Sequence, residues 1–241
     1  MGEAVARYDG HAGWYDETFT GYGHSEKWAT VIAETLGPPD KAGDWCLEVG
    51  CGTGLHAASV RAAGYAPVGV DISFDQLRIA RPRLSAALLA DGARLPVGND
   101  TVARVLLCFT HTDMDDFAGA VAETARVLRV GGRLAYIGLH PCFVGTFADR
   151  RDEVEEQQLR LVRGYGDSQV RVDDTARFSL RSRVGGSNLP LAGFLNAFLM
   201  QPDLRIRSVA EIDTDARAWG SRDDRRIVPW NIAIRADKVA A

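Results

Sequence analysis

The 241-residue sequence predicts one α/β domain on a doubly wound, mostly parallel, seven-stranded sheet. Three observations predict it. Strand-like and helix-like runs alternate through residues 45–139, and two later strand-like runs bring the strand count to seven. Glu48, Asp71, Asp91 and Phe109 fall at the carboxyl ends of four successive strand runs, where open parallel sheets bind ligands. Residues 47–54, LEVGCGTG, break an apolar strand into a turn with glycine at alternate positions. The length suits one domain, 1–241, with a substantial core.

Each element follows from its local pattern. Residues 1–40 read as a helical arm dense in aromatics: Tyr8, Trp14, Tyr15, Phe19, Tyr22 and Trp28. Trp28, Val31, Ile32, Thr35 and Leu36 recur at helical spacing before Gly37-Pro38-Pro39 stops the helix. The first strand is 45–49, and a helix over 55–63 ends at Gly64. The second strand, 67–72, carries Asp71 near its end, and a short helix, 75–81, stops at Pro82. Strands 86–90 and 102–109 follow, then an amphipathic helix, 115–128, with Phe117, Val121, Thr124, Ala125 and Leu128 on one face. Gly131-Gly132 fits a helix C-cap before the fifth strand, 133–139. The rhythm then breaks. Residues 141–188 show no clear strand–helix unit and read as an inserted cap over the site, with the charged run 149–160 as a solvated helix face. An apolar helix, 190–200, and strands 204–212 and 231–236 close the chain.

Composition excludes several functions. A net charge of −4 with no basic stripe argues against a nucleic-acid partner. No run approaches ~18 apolar residues, so no membrane span is expected. The first residues lack the basic and apolar regions of a secretory signal. Cys46, Cys51, Cys108 and Cys142 form no Cys-x-x-Cys pair, so neither a zinc site nor any other metal is indicated. They read as small buried hydrophobes of a cytoplasmic protein.

The spacing Glu48-x-Gly50-x-Gly52-x-Gly54 separates two readings of the turn. A dinucleotide fingerprint needs Gly-x-Gly-x-x-Gly. A carboxylate at the strand end would repel phosphate and hold amino or hydroxyl donors. The motif resembles the first motif of class I S-adenosylmethionine (SAM)-dependent methyltransferases, a Rossmann-like family, and the likeness extends over residues 42–140. Asp91-Gly92-Ala93 followed by Leu95-Pro96 is similar to the ubiquinone-biosynthesis type, which acts on small molecules. The resemblance implies an antiparallel last strand, SAM as cofactor and the 1–40 arm as a lid. It implies cofactor contacts from Tyr15, Glu48, Gly50, Cys51, Gly52, Gly54, Asp71, Ile72, Gln76, Asp91, Gly92, Ala93, Phe109 and Thr110. Asp71 suits a bidentate grip on a ribose diol, with a helix cap as the alternative. Asp91 suits the adenine amine, with an Asx-turn as the alternative.

Methyl transfer needs a base only where the acceptor's proton must leave. His111 and His140 follow the fourth and fifth strands and are the candidate bases, or hydrogen-bonding groups that orient a hydroxyl. His56, after the glycine turn, either touches cofactor or caps the helix. Asn188, Asn196, Phe143, Phe147, Phe194 and Phe198 are candidate pocket walls. The expected partner is a small-molecule acceptor, with oxygen, nitrogen and carbon all open, and the expected assembly a monomer or homodimer. Two other readings stay open: a protein of this fold that binds SAM or S-adenosylhomocysteine without methyl transfer, and a nicotinamide oxidoreductase.

Overall fold

In the computed structural model, residues 5–23, 26–145, 147–152, 157–161, 164–167, 170, 179–212 and 228–240 are described. Helices α1 (Ala12–Gly23) and α2 (Glu26–Leu36) precede β1 (Trp45–Val49). Then come α3 (Ala57–Ala62), β2 (Ala66–Asp71), α4 (Phe74–Ala80), β3 (Ala86–Leu89), β4 (Val102–Cys108), α5 (Phe117–Val127) and β5 (Leu128–Leu139). A hairpin of β6 (Ala148–Asp152) and β7 (Gln157–Leu161), then α6 (Ser179–Val184) and α7 (Leu191–Leu199), lead to β8 (Leu204–Ile212) and β9 (Asn231–Lys238).

The seven-stranded sheet has the order β3-β2-β1-β4-β5-β9-β8. Its first five strands are mutually parallel, while β9 runs antiparallel to β5 and to β8. The expected fold class and its antiparallel last strand are therefore correct. The order reverses between β1 and β4, so a crevice opens above their carboxyl ends.

Side chains of a strand alternate between the faces of the sheet, and that period of two sorts the core into two layers. Leu47, Val49, Val105, Leu107, Leu134 and Tyr136 face α5 and α7, where they meet Phe117, Val121, Phe194 and Phe198. Cys46, Leu106, Cys108, Ala135 and Ile137 face α2, where they meet Trp28, Val31, Ile32 and Leu36. Glu48 shares the second face with Cys46, and Tyr136 lies on the first. Both placements matter to the site.

Two expectations are corrected. In the charged run 149–160 the described residues are strand, not helix: Ala148 pairs with Leu161 and Asp152 with Gln157, antiparallel. Charges spaced along a polar run fit either period, and pairing across the turn decides for strand. Gly131 does not cap α5, whose C-cap is Leu128, passing directly into β5. Gly131 instead supplies a φ of 78° inside that strand. Within 141–188, residues 146, 153–156, 162–163, 168–169 and 171–178 lie outside the described residues, as does part of the cap expectation. Among the described residues, no helix is long and apolar enough to cross a membrane, and no cluster of His, Cys, Asp or Glu could hold a metal ion.

Candidate active site

The glycine turn builds the floor of the crevice. Gly50 and Cys51 both donate their amides to the Val70 carbonyl of the neighbouring strand, at 2.7 and 3.0 Å. That fold-back requires left-handed backbone, and Gly50 has a φ of 75°. A Cβ on Gly50 would also fall 2.7 Å from Thr110 Cγ2 and 3.1 Å from Met114 Cε. Gly50→Ala is therefore expected to combine about 1–2 kcal/mol of backbone strain with displacement of Thr110. The expected result is a lower melting temperature together with weaker cofactor binding in a thermal-shift titration.

The floor is tied to β2 through Asp71. Its Oδ2 accepts from the Gly52 amide and its Oδ1 from the Ser73 amide, both at 2.8 Å. Burial raises its pKa, against the amides of Ser73 and Gly52 that favour the charge. Asp71 is not the cap of α4: Ser73 is, accepting from the Gln76 amide. Asp91 makes the Asx-turn, its Oδ1 accepting from the Ala93 amide at 2.9 Å and its Oδ2 from Arg94. Phe109 ends β4 with a φ of 56°, an uncommon conformation for an aromatic residue, and its ring meets Trp28 edge-on at 5.0 Å.

These groups line one cleft of about 120 Å³, part of it open to solvent. Tyr15, Gly50, Cys51, Gly52, Asp71, Ile72, Gln76, Asp91, Gly92, Ala93, Phe109 and Thr110 all line it. Glu48 and Gly54 do not. Glu48 is buried beneath the turn, where its Oε1 takes His56 Nδ1 at 2.8 Å. Gly54 packs against Ala80 of α4. His56 lines the cleft but provides no side-chain cap for α3. Burial disfavours its charge, yet Cys108 and Glu48 beside it raise its pKa well above the ordinary value. Four buried polar atoms here have no protein partner: Glu48 Oε2, Thr53 Oγ1, Gln76 Oε1 and Thr110 Oγ1. Polar atoms stranded in this way are the mark of a site shaped for a ligand's own donors and acceptors.

The arm folds over this cleft through specific bonds. Ser73 Oγ donates to Asp9 at 2.5 Å, the Gly10 amide to Asp75, and Arg83 to Asp16. Arg7 pairs with Asp115 at 3.0 Å, and the Tyr8 hydroxyl donates to Asp113 Oδ1 at 3.0 Å. Asp113 also receives Arg181 of α6, at 2.6 Å, and the Thr112 hydroxyl. Arm, the loop after β4, and α6 of the insertion thus meet at one carboxylate.

Comparison with known proteins names this arrangement. Residues 47–136 match the family described as "Methyltransferase domain". This stretch is a methyltransferase domain of that family. Over 136 residues the chain is 32% identical to a demethylmenaquinone methyltransferase of Mycobacterium marinum, covering 55% of this chain and 57% of that protein. Over 103 residues it is 40% identical to methyltransferase GfsG of Streptomyces halstedii, covering 39% and 37%. The chain spans about half the length, or less, of the curated relatives it matches. A SAM-dependent methyltransferase structure from Mesorhizobium loti superposes with a TM-score of 0.67 at 18% identity, covering 89% of this chain and 99% of that one. That last likeness establishes the fold.

Beside this cleft lies a second cavity of about 190 Å³, also partly open to solvent. Met114, Asp115 and Asp116 belong to both. His111 lines the second cavity with Phe117, Ser187, Asn188, Leu189 and Gly193. His140 lines neither. It is buried, accepts the Cys142 amide on Nδ1 at 3.1 Å, meets Glu211 through Nε2 at 3.1 Å, and stacks on Phe143 at 4.4 Å. Of the candidate pocket walls, Asn188 lines the second cavity, and the others line neither of these two. Phe194 and Phe198 are core residues, and Phe147 packs against Tyr165.

Asp113, Arg7, Tyr8, Met114 and Arg181 were not singled out from the sequence. An acid in the polar run Thr110–Asp116 was the one available signal for Asp113; its partner lies 68 residues away with no motif around it.

Proposed function

We propose that this chain transfers the methyl group of SAM to a small-molecule acceptor. The carrying observation is the cleft itself: a glycine floor, Asp71 and Asp91 on adjoining strand ends, and stranded polar atoms on Gln76 and Thr110. Asp71 has spent one acceptor position of each oxygen on a backbone amide, which leaves each oxygen free for one ribose hydroxyl. Gly92 and Ala93 would edge the adenine, and Gly50, Gly52 and Thr110 the methionine portion, beneath Tyr15 of the arm.

Bound SAM supplies a methyl already activated by its sulfonium charge. The work left to the chain is positioning the acceptor and excluding water. The 1–40 arm is read as the lid that does the second, because its anchors reach across the cleft to Ser73, Asp75, Asp113 and Asp115. The 141–188 insertion is read as the cap over the acceptor, because Ser187 and Asn188 wall the second cavity. That cavity adjoins the cofactor cleft and is the proposed acceptor site. His111 is its polar group; His140, with both ring nitrogens engaged, is read as structural. The net charge of −4 supports a partner other than nucleic acid, and the pattern of reduced, mostly buried cysteines supports the cytoplasm. The assembly is read as a monomer or homodimer.

The test pairs calorimetry with turnover. S-adenosylhomocysteine is expected to bind, and methyl-labelled SAM to yield a labelled product with one of a panel of phenols, quinols, amines and carboxylic acids. Stabilisation by NAD and not by SAM or S-adenosylhomocysteine would overturn the cofactor. Tight cofactor binding with no turnover on any acceptor would overturn the transfer.

A further inference from the structure

On the wall of the second cavity His111 is hydrogen-bonded from behind by Tyr136, and the proton positions of that pair follow from its partners and exposure. Tyr136 is fully buried on β5, and its hydroxyl lies 2.6 Å from His111 Nδ1. No other hydrogen bond of Tyr136 is present among the described residues. A buried phenol that only accepted would leave its own proton without a partner, at a cost an unfilled lone pair does not carry. Tyr136 therefore donates to Nδ1. With Nδ1 accepting, the neutral ring carries its hydrogen on Nε2; that atom has no protein partner among the described residues, but it is not among the fully enclosed unpartnered atoms, so the pocket can supply it with one.

Packing holds the pair in place. Phe117, Tyr136 and Phe194 meet the His111 ring edge-on, with centroids 5.4–6.1 Å away. Gly138 makes room for the hydroxyl: a Cβ there would lie 2.1 Å from it. The charged and titratable groups acting on His111 are Asp113 and Arg181, which neutralise each other as a pair, and His140. Burial outweighs them all and pushes the His111 pKa down to about 3. The imidazole is thus neutral at physiological pH and a poor proton acceptor.

We propose that His111 holds the acceptor as a neutral Nε2–H donor, in the tautomer that Tyr136 imposes, and that the acceptor is a one- or two-ring phenol or enol bound through its ionised oxygen. The size follows from the cavity. About 190 Å³ is more than the ~150 Å³ of an enclosed cavity that holds benzene, and the pocket is also open to solvent on one side, so at least one ring fits. The body of the ligand would lie against Met114, Phe117 and Leu189. Of the rim acids, Asp115 is paired with Arg7, while Asp116, which accepts the Gly119 amide as the cap of α5, keeps its charge. The acceptor's proton is lost to solvent before docking, and none passes to His111. Tyr136 is a positioning residue in this scheme. The substrate class rests on the methyl-transfer reading; the tautomer does not.

The test uses protein labelled with 15N-histidine, alone and with S-adenosylhomocysteine. Long-range proton–nitrogen correlations should show His111 protonated on Nε2 alone from about pH 5 to about pH 8, where an ordinary histidine titrates. Tyr136→Phe and Gly138→Ala should each release that tautomer, while S-adenosylhomocysteine affinity stays within about twofold. An Nδ1-protonated ring, or a titration inside that range in the parent protein, would overturn the proposal. The ligand class is read with 4-nitrophenol, whose anion absorbs in the visible. Its anion should bind the S-adenosylhomocysteine complex, and Tyr136→Phe should weaken that binding on the order of tenfold. Binding as the neutral phenol, or no binding, would reject the class. Failure of S-adenosylhomocysteine to bind at all would instead reject the cofactor, leaving the tautomer measurement to stand on the protein alone.

Discussion

Asp71→Ala should weaken S-adenosylhomocysteine binding by about 100-fold in calorimetry. Hydrogen bonds to a charged group contribute about 1.5–3 kcal/mol each, and each 1.4 kcal/mol is a factor of ten. Losing one or two bonds to a ribose diol therefore reaches that size. The same substitution also leaves the Gly52 and Ser73 amides without their acceptor, so the glycine floor and the start of α4 lose their brace. Asp71→Asn, which keeps one acceptor oxygen, should fall between the two. The pH dependence carries its own sign. Burial raises the Asp71 pKa, so the charged form that grips a diol is lost as pH falls through that raised value, sooner than for an exposed aspartate. Affinity unchanged in Asp71→Ala would remove the ribose from this strand end.

Asp113→Ala should be the most destabilising single change around the arm. It strips the partner from Arg181, whose side chain is only 18% exposed, and from the Tyr8 hydroxyl. Breaking a largely buried pair by removing one member costs roughly 3 kcal/mol, because the remaining charge is left uncompensated. In a chain of this length that corresponds to a fall in melting temperature of roughly 5–10 °C. Asp113 is also expected to set part of the acid limit of stability. Burial opposes its charge, but Arg181, Thr112 and Tyr8 more than offset this and hold its pKa below the usual value. Its contribution is present above the ordinary aspartate range and lost as pH falls through the depressed pKa. A melting temperature within 1 °C of the parent protein at neutral pH would mean that the arm and α6 are held by other contacts.

The sheet was legible because its signals are local. β1 spans the predicted residues end to end, and the other strands differ by a few residues at their edges. Asp71 and Asp91 were legible because a carboxylate where an apolar run stops has few reasons to be there. The roles beneath the surface were not. The bond of Glu48 to His56 was one of these: its place on the α2 face turns Oε1 toward that ring. His140 and His111 looked equivalent at the ends of neighbouring strands. The difference between them lies in Cys142, Glu211 and Tyr136, none of which sits at a spacing that announces a bond. The hairpin of β6 and β7 was missed because its charges satisfy a helical pattern as well as a strand pattern.

Met114, Asp115 and Asp116 form a party wall between the two cavities. A ligand that moves Met114 on one side changes the room on the other, so the two occupants cannot be independent thermodynamically. Linkage makes that influence mutual: whatever factor the cofactor applies to acceptor affinity, the acceptor returns. A substitution chosen to broaden acceptor range at Met114 will therefore register first as a change in how tightly the spent cofactor is retained.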